Sequence, residues 1–186
     1  VLLKVFAKVN PIKFFKKILP AQIVAFSTQS SAGTLPVATE ILTDKIGVSG
    51  KVANVTTPLG TTIGMPGCAG IWPILVSLYG IYGLGINFSL TDYITLVVVA
   101  LFVSFGTAGV PGTATVTTAS VLTVMGLPLE LIVLTIPISA LADTGRTATN
   151  ITGAMVSATI VARQEDSLDD EIFEKEDEEE NKAVTA

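Results

Sequence analysis

STQSSAGTLP (residues 27–36) and SFGTAGVPGTA (residues 104–114) are two Gly- and Thr-rich stretches set inside long apolar runs. Each interrupts what is otherwise a credible membrane segment. Backbone that leaves the helix exposes N–H and C=O groups, and hydrocarbon tolerates these only where protein buries them or a polar cavity solvates them. Paired Gly/Pro interruptions at corresponding places in two halves are the sequence mark of secondary transporters built from inverted repeats. The breaks also resemble each other: SAGTLPVAT (31–39) and TAGVPGTAT (107–115) share a progression of small polar residue, Gly, Pro and Thr.

With 49% hydrophobic residues, 15% charged residues and a mean hydropathy of +0.66, the chain is too apolar for an ordinary soluble domain. Eleven of its sixteen acidic residues lie at or beyond Glu165. From Gly64 to Ala162 the charged side chains are Asp92, Glu130, Asp143 and Arg146 alone. The net charge of −5 therefore belongs to the tail. The acidic run from Glu165 to Lys182 has little to bury and is expected to be solvated and disordered, with a partner-binding tail as the alternative. No initiator Met and no signal-peptide pattern open the chain, as expected of a piece that begins partway into a membrane segment. With no His and the single Cys68, it lacks a disulfide framework, the ligands of a familiar zinc site and the usual base for Ser or Cys catalysis. Neither enzyme activity, a nucleic-acid partner nor a cofactor beyond a coupling cation is expected. Cys68, between Gly67 and Ala69, reads as a small packing residue.

A spanning helix needs about 20 mostly apolar residues, and several segments fall short or are broken near the middle. They read as hairpins. After residues 1–10, the end of a preceding helix, residues 11–46 form hairpin 1, with arms 11–27 and 34–46 meeting at Ser30, Ser31 and Gly33. Residues 91–126 form hairpin 2, with arms 91–105 and 113–126 around Gly106, Gly109, Pro111 and Gly112. Residues 48–83 carry Pro58, Gly60, Gly64, Pro66, Gly67, Gly70 and Pro73, so this helix is expected to unwind near GMPG. Residues 128–163 read as one long helix, and 164–186 as the tail. The fold class is an all-α membrane protein with two re-entrant helical hairpins, a broken helix and a long final helix. If both hairpins are re-entrant, Lys13, Lys16, Lys17, Lys45, Lys51 and Arg163 share one side of the membrane, which the positive-inside rule makes cytoplasmic. The C-terminus then lies in the cytoplasm.

On the long helix, Asp143, Arg146, Thr147 and Asn150 fall at i, i+3, i+4 and i+7 and so share a face. An ionisable side chain at mid-membrane costs about 2.5–3.5 kcal/mol on insertion scales and usually has a function. One reading is an intrahelical ion pair that anchors packing. The other is a binding site for a zwitterion, with Asp143 on an α-ammonium and Arg146 on a second carboxylate in a bidentate fork that Lys does not reproduce. The arms after each break begin with free N–H groups and a positive dipole end, suited to a carboxylate. Flexible loops between ordinary spans are the plainer reading of the tips.

At AFSTQSSAGTLP (25–36), PLGTTIGMPGCAG (58–70), GTAGVPG (106–112) and DTGRTATNITG (143–153) the chain resembles the dicarboxylate/amino acid:cation symporters, the family of the glutamate transporters and their bacterial relatives. The resemblance covers residues 1 to about 164. It implies a homotrimer in the plasma membrane whose mobile transport domain carries substrate in an elevator-like motion; this chain looks like the core of that domain without the scaffold half. By the same resemblance, Asp143 binds the substrate amino group, Arg146 a distal carboxylate, and Asn150 with Ser30 and Ser31 the α-carboxylate. Thr147, Cys68 and Val110 line the pocket. Carbonyls of Ser104, Phe105 and Thr107, with Thr62 and the Met65 sulfur, match a sodium site. Glutamate-transporting members carry Asn-Met-Asp-Gly-Thr where this chain has Gly64 to Cys68, and an Asp where it has Ala154, so both sodium-binding carboxylates are absent. Coupling to Na+ at the carbonyl-built site, or to H+, remains. Gln29 replaces an Arg common at the first tip. The TTIG and GCAG motifs are closer to the cystine-uptake branch. The expected function is secondary active symport of cystine or a related amino acid; alternatives are a glutamate, aspartate or dicarboxylate symporter, a passive pore, or a non-functional fragment.

Overall fold

The computed structural model describes residues 1–63, 65–105 and 112–175, and its regular elements there are all helical. Helix α1 (Pro11–Thr28) starts where Asn10 Oδ1 accepts from the Ile12 and Lys13 amides, with Pro11 supplying a preset φ at the first helical position. It stops at Gln29, whose left-handed φ of 52° returns its N–H to Ala25 O. Ser30 then caps α2 (Ser31–Ile41), its Oγ accepting from Gly33 N at 3.0 Å. The first break is thus a two-residue turn, Gln29 and Ser30, far shorter than the ten-residue motif that signals it. Pro36 lies inside α2. After a wide π-type turn at Leu42–Ile46, closed by Gly47 at φ 85°, come α3 (Gly50–Gly60), an irregular passage, a further π-type turn at Pro66–Ile71 and α4 (Trp72–Gly83). The unwinding expected near GMPG therefore runs from Thr61 to Ile71, with Gly64 itself outside the described residues.

Helix α5 (Leu90–Ser104) begins with a reciprocal cap between Ser89 and Asp92. Helix α6 (Thr113–Val124) follows Gly112 at φ 89°. The intervening tip, Gly106 to Pro111, lies outside the described residues. Helix α7 (Glu130–Gln164) is 35 residues long, about 52 Å at 1.5 Å per residue. Among the described residues it alone is long and apolar enough to cross a membrane; α5 and α6 are shorter apolar helices.

The buried side chains form two clusters. Phe14, Ile18, Ala38, Ile41, Ala53, Ile151 and Met155 join α1, α2, α3 and the second half of α7. Val76, Leu96, Ala100, Val121, Leu122 and Leu131 join α4, α5, α6 and the start of α7. Each hairpin thus packs with half of the broken helix and half of α7. The exterior is apolar too: α1 buries Phe14, Ile18, Ala21 and Ala25 but presents Phe15, Leu19, Ile23 and Phe26 outward. Large apolar side chains on both faces, beyond the lysines of its first turns, suit a helix set in lipid or inside a larger protein.

The acidic tail departs from expectation as far as it is described. Residues 165–175 are folded, ending in α8 (Asp170–Glu174), because Phe173 gives this run something to bury. Its ring is 1% exposed. Around it Lys17 Nζ donates to Lys45 O and Lys175 O, both at 2.9 Å, and Lys13 Nζ reaches Glu174 Oε2 at 2.8 Å. Arg163 grips both oxygens of Asp170. Residues 176–186 lie outside the described residues.

A Cβ on Gly67 would lie 2.6 Å from the Arg146 carbonyl oxygen, whereas one on Gly70 meets nothing within 4 Å. Gly67→Ala should lose roughly 1–3 kcal/mol and Gly70→Ala stay within about 0.5 kcal/mol, read as thermal unfolding in detergent; equal midpoints would refute the close approach. The Arg163 guanidinium holds the Asp170 carboxyl below its ordinary range. A depressed carboxylate contributes stability above its unfolded pKa, near 3.9, that disappears as pH falls through the folded value. The pair is solvent-facing, so its contribution is at most about 1 kcal/mol. Amide protection in Asp170–Glu174 should therefore fall as pH drops below the ordinary carboxylate range while α7 stays protected, and Asp170→Asn should flatten that response; protection unchanged with pH would refute it.

Candidate functional site

Where the two clusters meet along α7, its buried face turns polar. Asp143 and Arg146 pair at 3.0 Å, with side chains 13% and 9% exposed. The same Arg146 Nη2 donates to Ser139 O at 2.9 Å and Ser139 Oγ at 3.1 Å. Arg146 Nε and Nη1 are buried and have no hydrogen-bond partner among the described residues. The guanidinium lies over the Trp72 ring, with Cζ 4.2 Å from the centroid.

One turn further on, Asn150 holds the broken helix. Its Oδ1 accepts from Gly67 N at 2.8 Å and its Nδ2 donates to Cys68 Sγ at 3.1 Å. Thr117 of α6 donates to Cys68 O at 2.9 Å. Backbone freed by unwinding is thereby satisfied from α7 and from hairpin 2. Cys68 Sγ faces Asp143 Oδ1 at 3.7 Å, and Thr147 Oγ1 donates to Asp143 O at 2.8 Å.

Ser31, Cys68, Asp143, Thr147 and Asn150 line one small cavity of about 10 Å³, joined by Met65, Gln29 and Thr113. Ser30 sits beside it, but its Oγ is engaged in capping α2. A larger open cavity of about 230 Å³ lies on the other side of Asp143, bounded by Arg146, Ser139, Thr115 and Gln29. Gln29 and Asp143 border both. Gln29 Nε2 also ties the first tip to α7, donating to Ala140 O at 3.2 Å.

The cation set divides differently. Ile63 and Phe105 form an antiparallel bridge, which sets the passage holding Thr62 and Met65 against the end of α5 at Ser104 and Phe105. Met65 is 1% exposed. Thr62 Oγ1 points back to Pro58 O and Leu59 O, and Ser104 Oγ to Leu101 O. Thr107 and Val110 lie outside the described residues. No three His, Cys, Asp or Glu side chains converge among the described residues, so a cation held here has carbonyl, hydroxyl and thioether donors. That donor set suits Na+ in kind. Sequence reasoning missed Trp72, Thr115 and Thr117, which lie on other elements, and Ser139, which the stripe's own spacing of four and seven residues before Asp143 and Arg146 could have found; an aromatic just after a break, facing a lone Arg, was the signal available for Trp72.

Residues 1–164 match the sodium:dicarboxylate symporter family. An uncharacterized symporter of Haemophilus influenzae is 45% identical over 159 residues, 85% of this chain and 36% of that protein. The L-cystine uptake protein TcyP of Bacillus thuringiensis is 37% identical over 169 residues, covering 90% of this chain and 36% of its own length. The protein of the same name from Shouchella clausii is 38% identical over 165 residues, 88% of this chain and 35% of that one. The chain thus spans little more than a third of the curated relatives it matches. With a match that runs through both hairpins, the broken helix and α7, the chain belongs to the sodium:dicarboxylate symporter family.

Proposed function

We propose that the protein is a secondary active symporter that carries cystine or a related amino acid across the cell membrane, coupled to a cation gradient. One observation supports this most: a buried Arg146 with two nitrogens that have no hydrogen-bond partner among the described residues, beside Asp143 at the place where α7 braces a broken helix. Burying a guanidinium that incompletely paired is costly, and a carboxylate arriving with the substrate relieves the cost. Asp143, already within 3.0 Å of Arg146, exchanges part of that contact for the substrate ammonium. Asn150 retains one amide hydrogen after serving Cys68, and with the Ser31 end of α2 it offers donors to an α-carboxylate. The relatives called L-cystine uptake proteins favour cystine, which bears two ammonium and two carboxylate groups; glutamate, aspartate or another dicarboxylate is the second reading, since the same pair accommodates it.

Coupling is to Na+ held by the Ser104, Phe105, Thr62 and Met65 set with Thr107, or to H+. The protein works as a homotrimer with two re-entrant hairpins and an elevator-like motion, and its C-terminus is cytoplasmic. Lys13, Lys17 and Arg163 gather at the end of the fold that holds α8, which supports that orientation under the positive-inside rule.

Proteoliposomes carrying the full-length protein test this. Labelled L-cystine uptake should be stimulated by unlabelled L-cystine inside, which a pore does not show, and should respond to sodium or pH when the two are varied independently. Arg146→Lys should lower uptake about 10- to 100-fold, the loss of a charge-assisted fork, with protein still in the membrane fraction. Uptake unchanged in that variant, or no counterflow, would overturn the proposal.

A further inference from the structure

We propose that Trp72 is a specificity-determining residue of this site: by stacking on Arg146 it fixes the guanidinium so that one of the two nitrogens without a partner among the described residues meets the second carboxylate of an amino-acid substrate. This deepens the preceding reading and rests on it. Three features converge on the assignment. The Trp72 ring covers one face of the guanidinium, with Cζ 4.2 Å from its centroid, well inside the range of a cation–π contact. Ser139 and Asp143 hold Nη2, so the in-plane positions left are those of Nε and Nη1, both buried without a partner among the described residues. Finally, the backbone beneath is clamped by the same break: Gly67, five positions before Trp72, packs so closely that a Cβ would lie 2.9 Å from Arg146 Cα.

An arginine next to open space normally turns its head to water and keeps only its stem buried. The 230 Å³ cavity beside Arg146 offers that escape. The indole opposes it from one face while Ser139 and Asp143 hold Nη2, so the planar group is oriented before substrate arrives. A carboxylate then finds donors already aligned instead of paying to order a long side chain, and the gain falls on binding more than on translocation. The substrate class follows: an amino acid with a second carboxylate at its far end, reaching from the Asn150 side of Asp143 into the larger cavity.

The test is the kinetics of labelled L-cystine uptake by proteoliposomes of the full-length protein, with Trp72→Ala, Trp72→Leu and Trp72→Phe. Trp72→Ala and Trp72→Leu should raise KM about tenfold and leave the maximal rate per inserted transporter within about twofold, and Trp72→Phe should recover most of the affinity because it keeps a ring face. The inference is overturned alone if wild type transports but KM is unchanged in Trp72→Ala, if Leu recovers affinity as well as Phe does, or if the whole loss lies in the maximal rate. If wild type shows no saturable L-cystine uptake, the transport reading fails first and takes this inference with it.

Discussion

A helix broken inside an apolar body must find partners for the backbone it frees, and here that task falls to the amide of Asn150. It receives the Gly67 N–H and donates to the Cys68 sulfur, while Thr117 takes the Cys68 carbonyl from the other side. A buried group left without a partner costs about 1–3 kcal/mol in water-soluble proteins and several in hydrocarbon. The unwound passage between Thr61 and Ile71 is therefore stable only with α7 and α6 already against it. This couples the two buried clusters, since Gly67 and Cys68 lie between one that holds Met155 and another that holds Val121.

The charges sit where this brace places them. Because Gly67 has no Cβ, the break lies almost on the backbone of α7 at Arg146, and Asp143 and Arg146 are drawn into the polar layer. As a stabilising device such a pair is poor: replacing a buried ion pair by well-packed apolar residues is often neutral or favourable. Intrahelical anchoring would also call for a fully satisfied guanidinium. Instead Arg146 keeps Nε and Nη1 without partners among the described residues, a cost that packing alone does not offset and that the proposed substrate carboxylate would.

Much of this was legible in the chain. Gly/Thr-rich breaks, Pro and Gly through residues 58–73, and the stripe from Asp143 to Asn150 are local patterns, and local patterns survive in sequence. Length was less legible. The motif at residues 27–36 looks like a long loop, yet Gln29 and Ser30 make the whole turn, because Gln29 tolerates a left-handed φ and Ser30 caps the next helix. The tail misled for a different reason: its acidic composition outweighed one Phe. Phe173 is buried in a cluster with Phe14, Ile18 and Ile46, and Lys13 and Lys17, more than 150 residues earlier, lie over its ring and meet the chain's carbonyls and Glu174. Trp72 was missed likewise, since stacking on Arg146 joins two elements whose register no single-helix period encodes.

The same geometry decides which wall of the site can yield. The cavity of about 10 Å³ beside Asp143 has room for no more than a water, so the proposed amino-acid substrate would need one of its walls to give way. Cys68, Thr147 and Asn150 are tied into buried hydrogen bonds and packed between the two clusters. Gln29, by contrast, holds the first tip to α7 through one exposed bond to Ala140 O, and Ser30 and Gly33 bond within their own turn. Local opening is drawn from segments with few buried contacts and solvent-exposed hydrogen bonds. Among the described residues, the Gln29–Ser30 turn is therefore the side of the cavity held by exposed hydrogen bonds, while the broken helix and α7 are held to each other by buried ones.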